Sequence, residues 1–413
     1  MSRRNSAPYS TKQGSSLLPH SDASRPERQH YLDYLRALLM FMGIPYHVAL
    51  AYSTQQAWIV QSEERSALLS WAAQFSHTFR MPVFFLIAGL FALMLCQRNP
   101  GEWWRSRLVR LGVPLIAAAL LINPLTMLSS ALWQAQPGEV IQTWIGMLQT
   151  PGEPWVSHLW FLIDLLIYCT VLVVLWSMRD LAPARYVAVR GAEFLDRHVW
   201  APPALLILSG FVSLASVVVL KLLDLNSAVH GMLVLSRTAA YLPVFLCGAA
   251  LILRPDWLTR FTRVHKGMWV VGLTLAVVQA AIQWRDEDIY RIGTYFLMPI
   301  VGILFAHILM SAMRMLCNTA SPMVQTAVAS SFTVYLVHEV FVVYGVLMFL
   351  DTGVPVLMQF VILTVVTILL SMAFHQWLVR PSAVMRLLFN GIPIRRKSRA
   401  VEHAGAAPAT PGR

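Results

Sequence analysis

The sequence predicts an all-α polytopic membrane protein with about ten transmembrane helices and both termini in the cytoplasm. Three observations support this fold class. The 413 residues are 57% hydrophobic and only 13% charged, whereas a soluble domain carries about 25% charged residues. Apolar runs long enough to cross a bilayer as helices recur along the chain. Finally, Lys and Arg concentrate in alternate connecting segments, which is how the orientation of a membrane protein is encoded.

The spacing of the apolar segments predicts the domain organisation. Residues 1–29 are polar and basic and lack the apolar run of a signal peptide, so we expect a disordered tail. We expect a second disordered basic tail over 391–413 and a single membrane domain over 30–390. Within that domain the apolar segments lie at about 32–53, 80–97, 109–130, 158–178, 200–221, 232–253, 268–284, 293–313, 327–349 and 355–377. Ten is an even number, so both termini are predicted on one side.

The distribution of basic residues supports the same count. With the N-terminal tail assigned to the cytoplasm, 25 Lys and Arg fall on the cytoplasmic side and six on the other side or its helix ends. The net charge of +12 is therefore explained by membrane orientation and lipid headgroup contact, and it does not indicate nucleic-acid binding. The four cysteines show no C-x-x-C or His/Cys ligand spacing, so we expect neither a disulfide framework nor a metal site.

The first apolar segment carries ionisable residues at helical spacing. Arg36 and His47 are eleven residues apart, so both lie on nearly the same face of a helix, with Asp33 and Gly43 close to that face. At about 1.5 Å per residue, the backbones of these two residues are roughly 16 Å apart along the helix axis, about half the hydrocarbon thickness of a bilayer. One continuous helix is predicted to place a cation near the cytoplasmic surface and an imidazole deeper in the membrane.

Other spans also contain ionisable residues, which are costly in a membrane and therefore candidates for function. Under the predicted topology the outer and middle depths gather His47, His77, Arg80, His158, Asp164, Arg237, His338 and Glu339, and the inner side holds Asp33, Arg36, Arg105, Arg107 and Arg110. The spacing of His77 and Arg80 puts both on one helix face. Glu339 directly follows His338 and points another way, so these two need not act together.

Each candidate also has a structural explanation. His47 could be a core histidine bonded to the carbonyl that Pro45 leaves free, although the face shared with Arg36 favours function. Headgroup contact is the ordinary role of polar residues at the interface, which is where the sequence puts His77, His158 and Arg237. Membrane orientation alone would account for Arg105, Arg107 and Arg110.

The chemistry of these residues fits acyl transfer. A histidine within a membrane helix suits general-base catalysis on a hydroxyl, since imidazole titrates near neutral pH. An arginine at the cytoplasmic end suits a phosphate, which a guanidinium binds through two hydrogen bonds. Acyl-coenzyme A carries phosphates at one end of a long arm and a thioester at the other, which matches the face from Arg36 to His47. A proton-coupled transporter also needs buried His, Arg and Asp, so the residues alone leave that class open.

Four motifs in order resemble those of the acyltransferase-3 superfamily of membrane proteins, namely Asp33–His47 with Arg-x10-His, Arg80–Gly89, Arg107–Pro114 and Tyr335–His338. Within it the chain is similar to the glucans biosynthesis protein C group, on the phrases Gly43–His47, His77–Arg80, Ser157–Leu162 and Tyr241–Pro243. The likeness runs from about residue 30 to about residue 397. One departure is Ala88, where the family pattern has Ser; alanine preserves close helix packing but removes a hydroxyl.

The resemblance implies transfer of succinyl groups from cytoplasmic succinyl-coenzyme A to hydroxyls of osmoregulated periplasmic glucans, in the bacterial inner membrane. By motif position it implies that His47 is the catalytic histidine and Arg36 its essential partner. We expect donor binding by Asp33, Arg107 and Arg110, and acceptor or acyl binding by His77, Arg80, His158, Arg237 and His338. No permanently bound cofactor, metal or nucleic acid is expected; the lipid bilayer is a partner and the glucan-synthesis machinery a candidate partner. Acetyl transfer to another cell-envelope polysaccharide, an oligosaccharide flippase and a non-catalytic scaffold are the alternatives.

Overall fold

The computed structural model describes residues 29–394, except 255, 318 and 320. Of the two predicted disordered tails, only residue 29 and residues 391–394 are included, so the rest of those predictions lies outside the described residues. The regular structure that is described is almost entirely helical. Its two short strands, β1 (Ser227–Ala228) and β2 (Leu233–Val234), form one antiparallel pair.

Each of the ten apolar segments predicted from the sequence contains a helix, although the segment 232–253 begins with strand β2. The helices of the first half are α1 (His30–Phe41), α2 (Gly43–Ala51), α3 (Ala67–Cys96), α4 (Pro100–Arg107), α5 (Val113–Leu121), α6 (Asn123–Gln134), α7 (Val140–Gln149), α8 (Trp160–Ser177), α9 (Ala182–Arg197) and α10 (Ala201–Leu222). Those of the second half are α11 (Leu235–Ala250), α12 (Trp257–Phe261), α13 (Lys266–Ile282), α14 (Asp288–Leu316), α15 (Pro322–Phe349), α16 (Val356–Phe374) and α17 (Ala383–Asn390). Single π-helical turns follow α4 and α16, at Leu108–Gly112 and His375–Val379, and 3₁₀ turns at Glu153–Trp155 and Ser157–Leu159 precede α8.

Eight helical spans in the described part of the chain are long and apolar enough to cross a membrane. Four of them combine neighbouring elements: α1 with α2, α4 to α6, the 3₁₀ turn Ser157–Leu159 with α8, and α16 with its π turn. The other two predicted segments are α11 and α13, with 16 and 17 residues. The prediction of an all-α polytopic membrane protein is confirmed, and α11 and α13 are the shorter helices that would complete ten crossings.

Both ends of the described chain lie at the same end of the bundle. Arg107 in α4 lies within electrostatic range of Arg36 in α1. Gly391, directly after α17, packs against the backbone of Arg110. The beginning of α1 and the end of α17 therefore flank one short segment, as an even number of crossings requires. We refer to this end, with Arg36, Arg107 and Arg110, as the arginine end; its location in the cytoplasm remains a prediction from the distribution of basic residues.

The first span is not the single uninterrupted helix that was predicted, because the helix breaks at Met42. Pro45 supplies the physical reason: it has no N–H to donate to the Phe41 carbonyl, and its ring crowds that carbonyl. The chain still continues in the same direction across the break. The Met42 N–H donates to the Leu38 carbonyl (2.9 Å), and the Met42 carbonyl accepts from the Tyr46 N–H (3.3 Å). The first span is therefore two helical segments joined at a local distortion.

Helix α3 is central to the bundle, because it packs against α2, α11, α13 and α14. Its closest approach is to α11. A Cβ added at Gly89 of α3 would overlap the backbone of Phe245, and one added at Gly248 of α11 would overlap the backbone of Leu86. Small residues let helix backbones approach closely where there is no water to drive packing. Close packing at the end of the predicted motif Arg80–Gly89 is thus confirmed, and it fixes the helix that carries His77 and Arg80.

Candidate functional site

Five of the predicted site residues converge from four parts of the chain into one group, the histidine cluster. It consists of His47 in α2, His77 and Arg80 in α3, His158 before α8, and His338 in α15. The ring centroids of His47 and His338 are 5.1 Å apart, those of His158 and His338 are 5.3 Å apart, and those of His47 and His158 are 6.4 Å apart. Three imidazoles and a guanidinium lie close together in the membrane domain, and this group is the candidate functional site.

His47 is held in this cluster by rings rather than by hydrogen bonds. Its ring lies 5.0 Å from that of Tyr46 and 5.7 Å from that of Trp58, which belongs to the loop after α2. Its Nδ1 is buried and has no hydrogen-bond partner in the described chain. The structure therefore gives no support to the alternative of a core histidine bonded to a carbonyl that Pro45 leaves free. An imidazole nitrogen without a protein partner is available for a substrate proton.

Arg80 is the buried cation of the cluster, with 9% of its surface exposed. Its guanidinium lies over the Tyr46 ring, 4.2 Å from the centroid, an arrangement that offsets part of the desolvation of a buried cation. The Tyr46 hydroxyl is 3.2 Å from His77 Nδ1, so one tyrosine joins both α3 candidates to α2. Gly43 provides the space, because a Cβ there would lie 2.9 Å from Arg80 Nη1.

His158 is paired with a buried carboxylate. Its Nδ1 lies 2.6 Å from Glu339 Oε2, and the two side chains are 2% and 1% exposed. The same oxygen accepts a hydrogen bond from Ser157 Oγ (2.8 Å), and the Tyr335 hydroxyl donates to the His158 carbonyl (2.6 Å). His338 donates through Nδ1 to the Tyr335 carbonyl (2.8 Å). The Nε2 atoms of His158 and His338 are both buried without a partner in the described chain.

Arg237 lies beside the histidine cluster rather than within it. Its Nε is 3.6 Å from Oδ2 of Asp164, and its guanidinium stacks 4.1 Å from the ring of Trp160. Asp164 also accepts a hydrogen bond from the Thr238 hydroxyl (2.7 Å). Arg237 remains within electrostatic range of His77. Arg237 therefore lies at the edge of the site, where it forms a structural ion pair with Asp164.

The other predicted residues gather at the arginine end. Arg36 is exposed and lies 5.3 Å from the centroid of the Phe91 ring. Asp33 acts electrostatically on Arg36, and Arg107 lies within range of both Arg36 and Arg110. The Nε of Arg107 is buried without a partner in the described chain. Three arginines and one aspartate here leave an excess of positive charge that suits a polyanion.

The two ends of the first span face the same side of α3. Arg36 contacts Phe91, and Gly43 lies against Arg80. Phe91 and Arg80 are eleven residues apart in α3, so they share one helix face. The face predicted from the spacing of Arg36 and His47 thus survives the break at Met42. The structure places the arginine end and the histidine cluster along one helix–helix interface.

Several residues that shape the site received no site role from the sequence, although Glu339 was marked as an ionisable residue within a span; they are Tyr46, Trp58, Ser157, Tyr335 and Glu339. The spacing of Tyr335 and Glu339 could have indicated their role, because residues four apart share a helix face and can bind the same partner. Tyr46 carried none, since a tyrosine in an apolar helix is most simply a core residue. Trp58 lies in a loop, and loop positions have no periodicity from which a contact can be read.

Two cavities in the described part of the chain lie away from the histidine cluster. One of about 10 Å³ is lined by Asp33 with neighbouring residues of α1 and the beginning of α15. The other, of about 270 Å³, is lined by Thr326, Ser330, His375 and Trp377 among others. Arg36 and the histidine cluster line neither of them. Among the described residues, no three His, Cys, Asp or Glu side chains are arranged to hold a metal ion.

Comparison with known proteins gives a consistent result. The family model of the acyltransferase-3 type, described as an acyltransferase domain, matches residues 29–376. The chain is 29% identical over 331 residues to proteins named glucans biosynthesis protein C from Salmonella heidelberg (strain SL476), Salmonella typhi and Salmonella typhimurium. The aligned region covers 76% of this chain and 82% of each relative. No solved structure matches the chain.

Proposed function

This chain belongs to the acyltransferase-3 family, and from that premise we propose that it is an inner-membrane O-acyltransferase that transfers succinyl groups from succinyl-coenzyme A to hydroxyls of periplasmic glucans. The observation that carries the proposal is the pairing of two unlike sites along one face of α3. Arginines suited to phosphates lie at one end, where Arg107 is within electrostatic range of Arg36. Histidines with free ring nitrogens lie further along it.

The arginine end supports a coenzyme A donor. Arg107 lies within electrostatic range of Arg36 and Arg110, and an anion bound between them would offset the repulsion of these like charges. The phosphates of coenzyme A supply several negative charges, and each guanidinium can bind a phosphate through two hydrogen bonds. The backbone of Arg36 lies roughly 16 Å from that of His47 along the axis of the span. At that distance Arg36 acts on the far end of the donor and not on the histidine itself.

The histidine cluster supports acyl transfer to a hydroxyl. His47, with its unpartnered Nδ1, would take the proton from the acceptor hydroxyl as the oxygen attacks the thioester carbonyl. The carbonyl oxygen gains negative charge in that step, and a fixed cation beside it lowers the barrier. Arg80 is such a cation, because Tyr46 and Gly43 fix its position. His77 and His338 would contact the acceptor or acyl group beside His47.

The name of the relatives supports a glucan acceptor, since it assigns them to glucan biosynthesis. A succinyl donor brings one more carboxylate than an acetyl donor, and a second cation would favour it. Arg237 is suited to that role because it lies at the edge of the cluster and is 27% exposed. The proposal therefore assigns the free succinyl carboxylate to Arg237 and the thioester oxygen to Arg80.

The proposal is tested by mass spectrometry of periplasmic glucans from a strain that lacks glucans biosynthesis protein C and expresses this chain. We expect succinyl substituents with the native chain and none with His47→Ala. His198→Ala is the matched control, because His198 is exposed in the connection between α9 and α10. Membrane levels of all three proteins are compared by immunoblot.

Other outcomes separate the alternatives. Acetyl instead of succinyl substituents would keep the enzyme class and overturn the donor. Normal succinylation by His47→Ala would contradict acid–base catalysis by that residue. Purified protein in vesicles is then given acyl-coenzyme A and glucan, and release of free thiol is followed. Movement of glucan across the vesicle membrane without thiol release would overturn acyl transfer in favour of a flippase.

A further inference from the structure

A histidine and a glutamate from distant parts of the chain form a closed unit beside His47. The pair joins His158, immediately before α8, to Glu339 in the middle of α15, and both side chains are almost completely buried. Burying a carboxylate in the membrane domain is costly unless it is paired and hydrogen-bonded. Oε2 of Glu339 has two partners, His158 Nδ1 at 2.6 Å and Ser157 Oγ at 2.8 Å. Such an arrangement holds one imidazole in one orientation.

The backbone around this pair is strained and firmly held. Ser157 has a φ of +42°, a conformation that residues other than glycine rarely adopt. Such strain persists where the surrounding contacts dictate it, and it is commonest at functional sites. The contacts come from one face of α15, because Tyr335 and Glu339 are four residues apart. Tyr335 holds the His158 carbonyl at 2.6 Å, and Glu339 holds the two side chains.

The orientation of the ring leaves one nitrogen facing the histidine cluster. A carboxylate accepts hydrogen bonds, so Nδ1 of His158 carries the hydrogen that it shares with Glu339. Its Nε2 is buried and has no partner in the described chain. The nearest imidazole rings are those of His338 at 5.3 Å and His47 at 6.4 Å, and the Tyr335 ring is also 5.3 Å away. The carboxylate of Glu339 thus lies on the Nδ1 side of the ring and leaves Nε2 as the nitrogen that can exchange a proton with a substrate.

We propose that His158, positioned by Glu339, is the general acid of the reaction and works opposite His47, the general base. This inference rests on the proposed function. As the acceptor oxygen bonds to the thioester carbon, its proton moves to His47. As the carbon–sulfur bond breaks, the Nε2 proton of His158 moves to the departing sulfur and forms the thiol of coenzyme A. The proton on His47 then returns to His158, and the two residues regain their starting states.

A purely structural pair and a catalytic pair respond differently to Glu339→Gln. The amide oxygen of glutamine still accepts hydrogen bonds from His158 and Ser157, so the packing is retained while the charge is lost. If the charge serves only the fold, activity stays near that of the native protein. If it supports proton donation by Nε2 of His158, kcat falls by about 10²-fold or more, the usual contribution of general acid–base catalysis. KM for acyl-coenzyme A and for glucan should change little, since neither binding site is altered.

The experiment compares purified full-length native protein, Glu339→Gln, His158→Gln and the double variant, with kcat and KM measured by thiol release from succinyl-coenzyme A. We expect similar large losses of kcat in all three variants, because residues that act as a unit are not additive. The matched control is His375→Gln, another buried histidine bonded through Nδ1, to the Thr333 hydroxyl at 2.8 Å. Its kcat should equal that of the native protein. Thermal unfolding of each variant in detergent is measured alongside.

The outcomes distinguish this inference from the proposed function. Absence of acyl transfer by the native protein would overturn both. Normal native activity together with a normal kcat in Glu339→Gln would overturn only the acid role of the pair. Additive losses in the double variant would also overturn it, because His158 and Glu339 would then act separately. Loss of activity in step with a fall in melting temperature across the variants would reduce the pair to a structural one. His158→Asn, which removes the ring but leaves Glu339 charged, provides a second measurement of this point.

Discussion

The space at Gly43 makes a sharp test of how Arg80 is positioned. Replacing Gly43 with alanine adds one methyl group whose carbon would lie 2.9 Å from Arg80 Nη1. Ordinary contact begins at 3.4 Å, so the guanidinium must retreat by about 0.5 Å. Arg80 is buried and stacked on Tyr46, and therefore cannot move freely into solvent. The strain acts on the part of the cluster that would stabilise the developing oxyanion.

The size of the effect follows from that displacement. Misplacing a catalytic group by about 1 Å can cost about 10²-fold in rate, so about half that shift should lower kcat by about tenfold. Alanine is a better helix former than glycine, and the stability of the protein should be unchanged or slightly higher. The assay is thiol release from succinyl-coenzyme A by purified protein, with thermal unfolding measured on the same sample.

Two controls make this prediction specific. Gly146→Ala introduces the same methyl group in α7, where nothing lies within 4 Å, and should leave kcat unchanged. In an Arg80→Ala background, Gly43→Ala should cause no further loss, because the clashing atom is absent. Full activity of Gly43→Ala, or an undiminished additional loss without Arg80, would refute the placement of Arg80 in the mechanism.

Two further predictions concern the arginine end. Arg36→Ala should raise KM for succinyl-coenzyme A by about tenfold or more, since a hydrogen bond to a charged group contributes about 1.5–3 kcal/mol. Arg36→Lys should recover only part of the lost donor affinity, because the forked guanidinium is lost. Equal KM values in the native protein and both variants would contradict donor binding by Arg36. Gly391→Ala should also raise KM for the donor without lowering kcat, because Gly391 has a φ of +59° and packs on the Arg110 backbone; Gly353→Ala, with a φ of +66° and open surroundings, is the control, and similar KM values in these two variants would exclude positioning of Arg110 by α17.

The secondary structure could be predicted because the membrane leaves few alternatives. Backbone groups in hydrocarbon must be satisfied within the segment, so each long apolar run has to be a helix. The same constraint made the ionisable residues conspicuous, and His47, His77, Arg80, His158 and His338 do converge. Their depth could be read from position along the span. Their grouping required only that polar side chains avoid lipid and turn toward one another.

Contacts between distant helices could not be read from the sequence. The bond from His158 to Glu339 joins residues 181 positions apart, and no periodicity relates the two segments. The sequence did indicate that Glu339 points away from His338, and the structure confirms two directions: Glu339 binds His158, while His338 bonds back to the Tyr335 carbonyl. What it lacked was the relative rotation of α8 and α15, which is set by packing of the whole bundle.

The break in the first span shows why the short phrase Gly43-Ile-Pro-Tyr-His47 departs from helical rules. Glycine and proline both weaken a helix, so their presence two residues apart inside a membrane span needs a compensating gain. Gly43 leaves space for Arg80, and Tyr46 places a ring beneath the same guanidinium. Pro45 relaxes the helix between them, and His47 then meets the histidines of two other segments. Because Gly43 and Tyr46 hold the buried cation and His47 presents the imidazole, the local instability is best explained as the cost of assembling the two groups that acyl transfer needs.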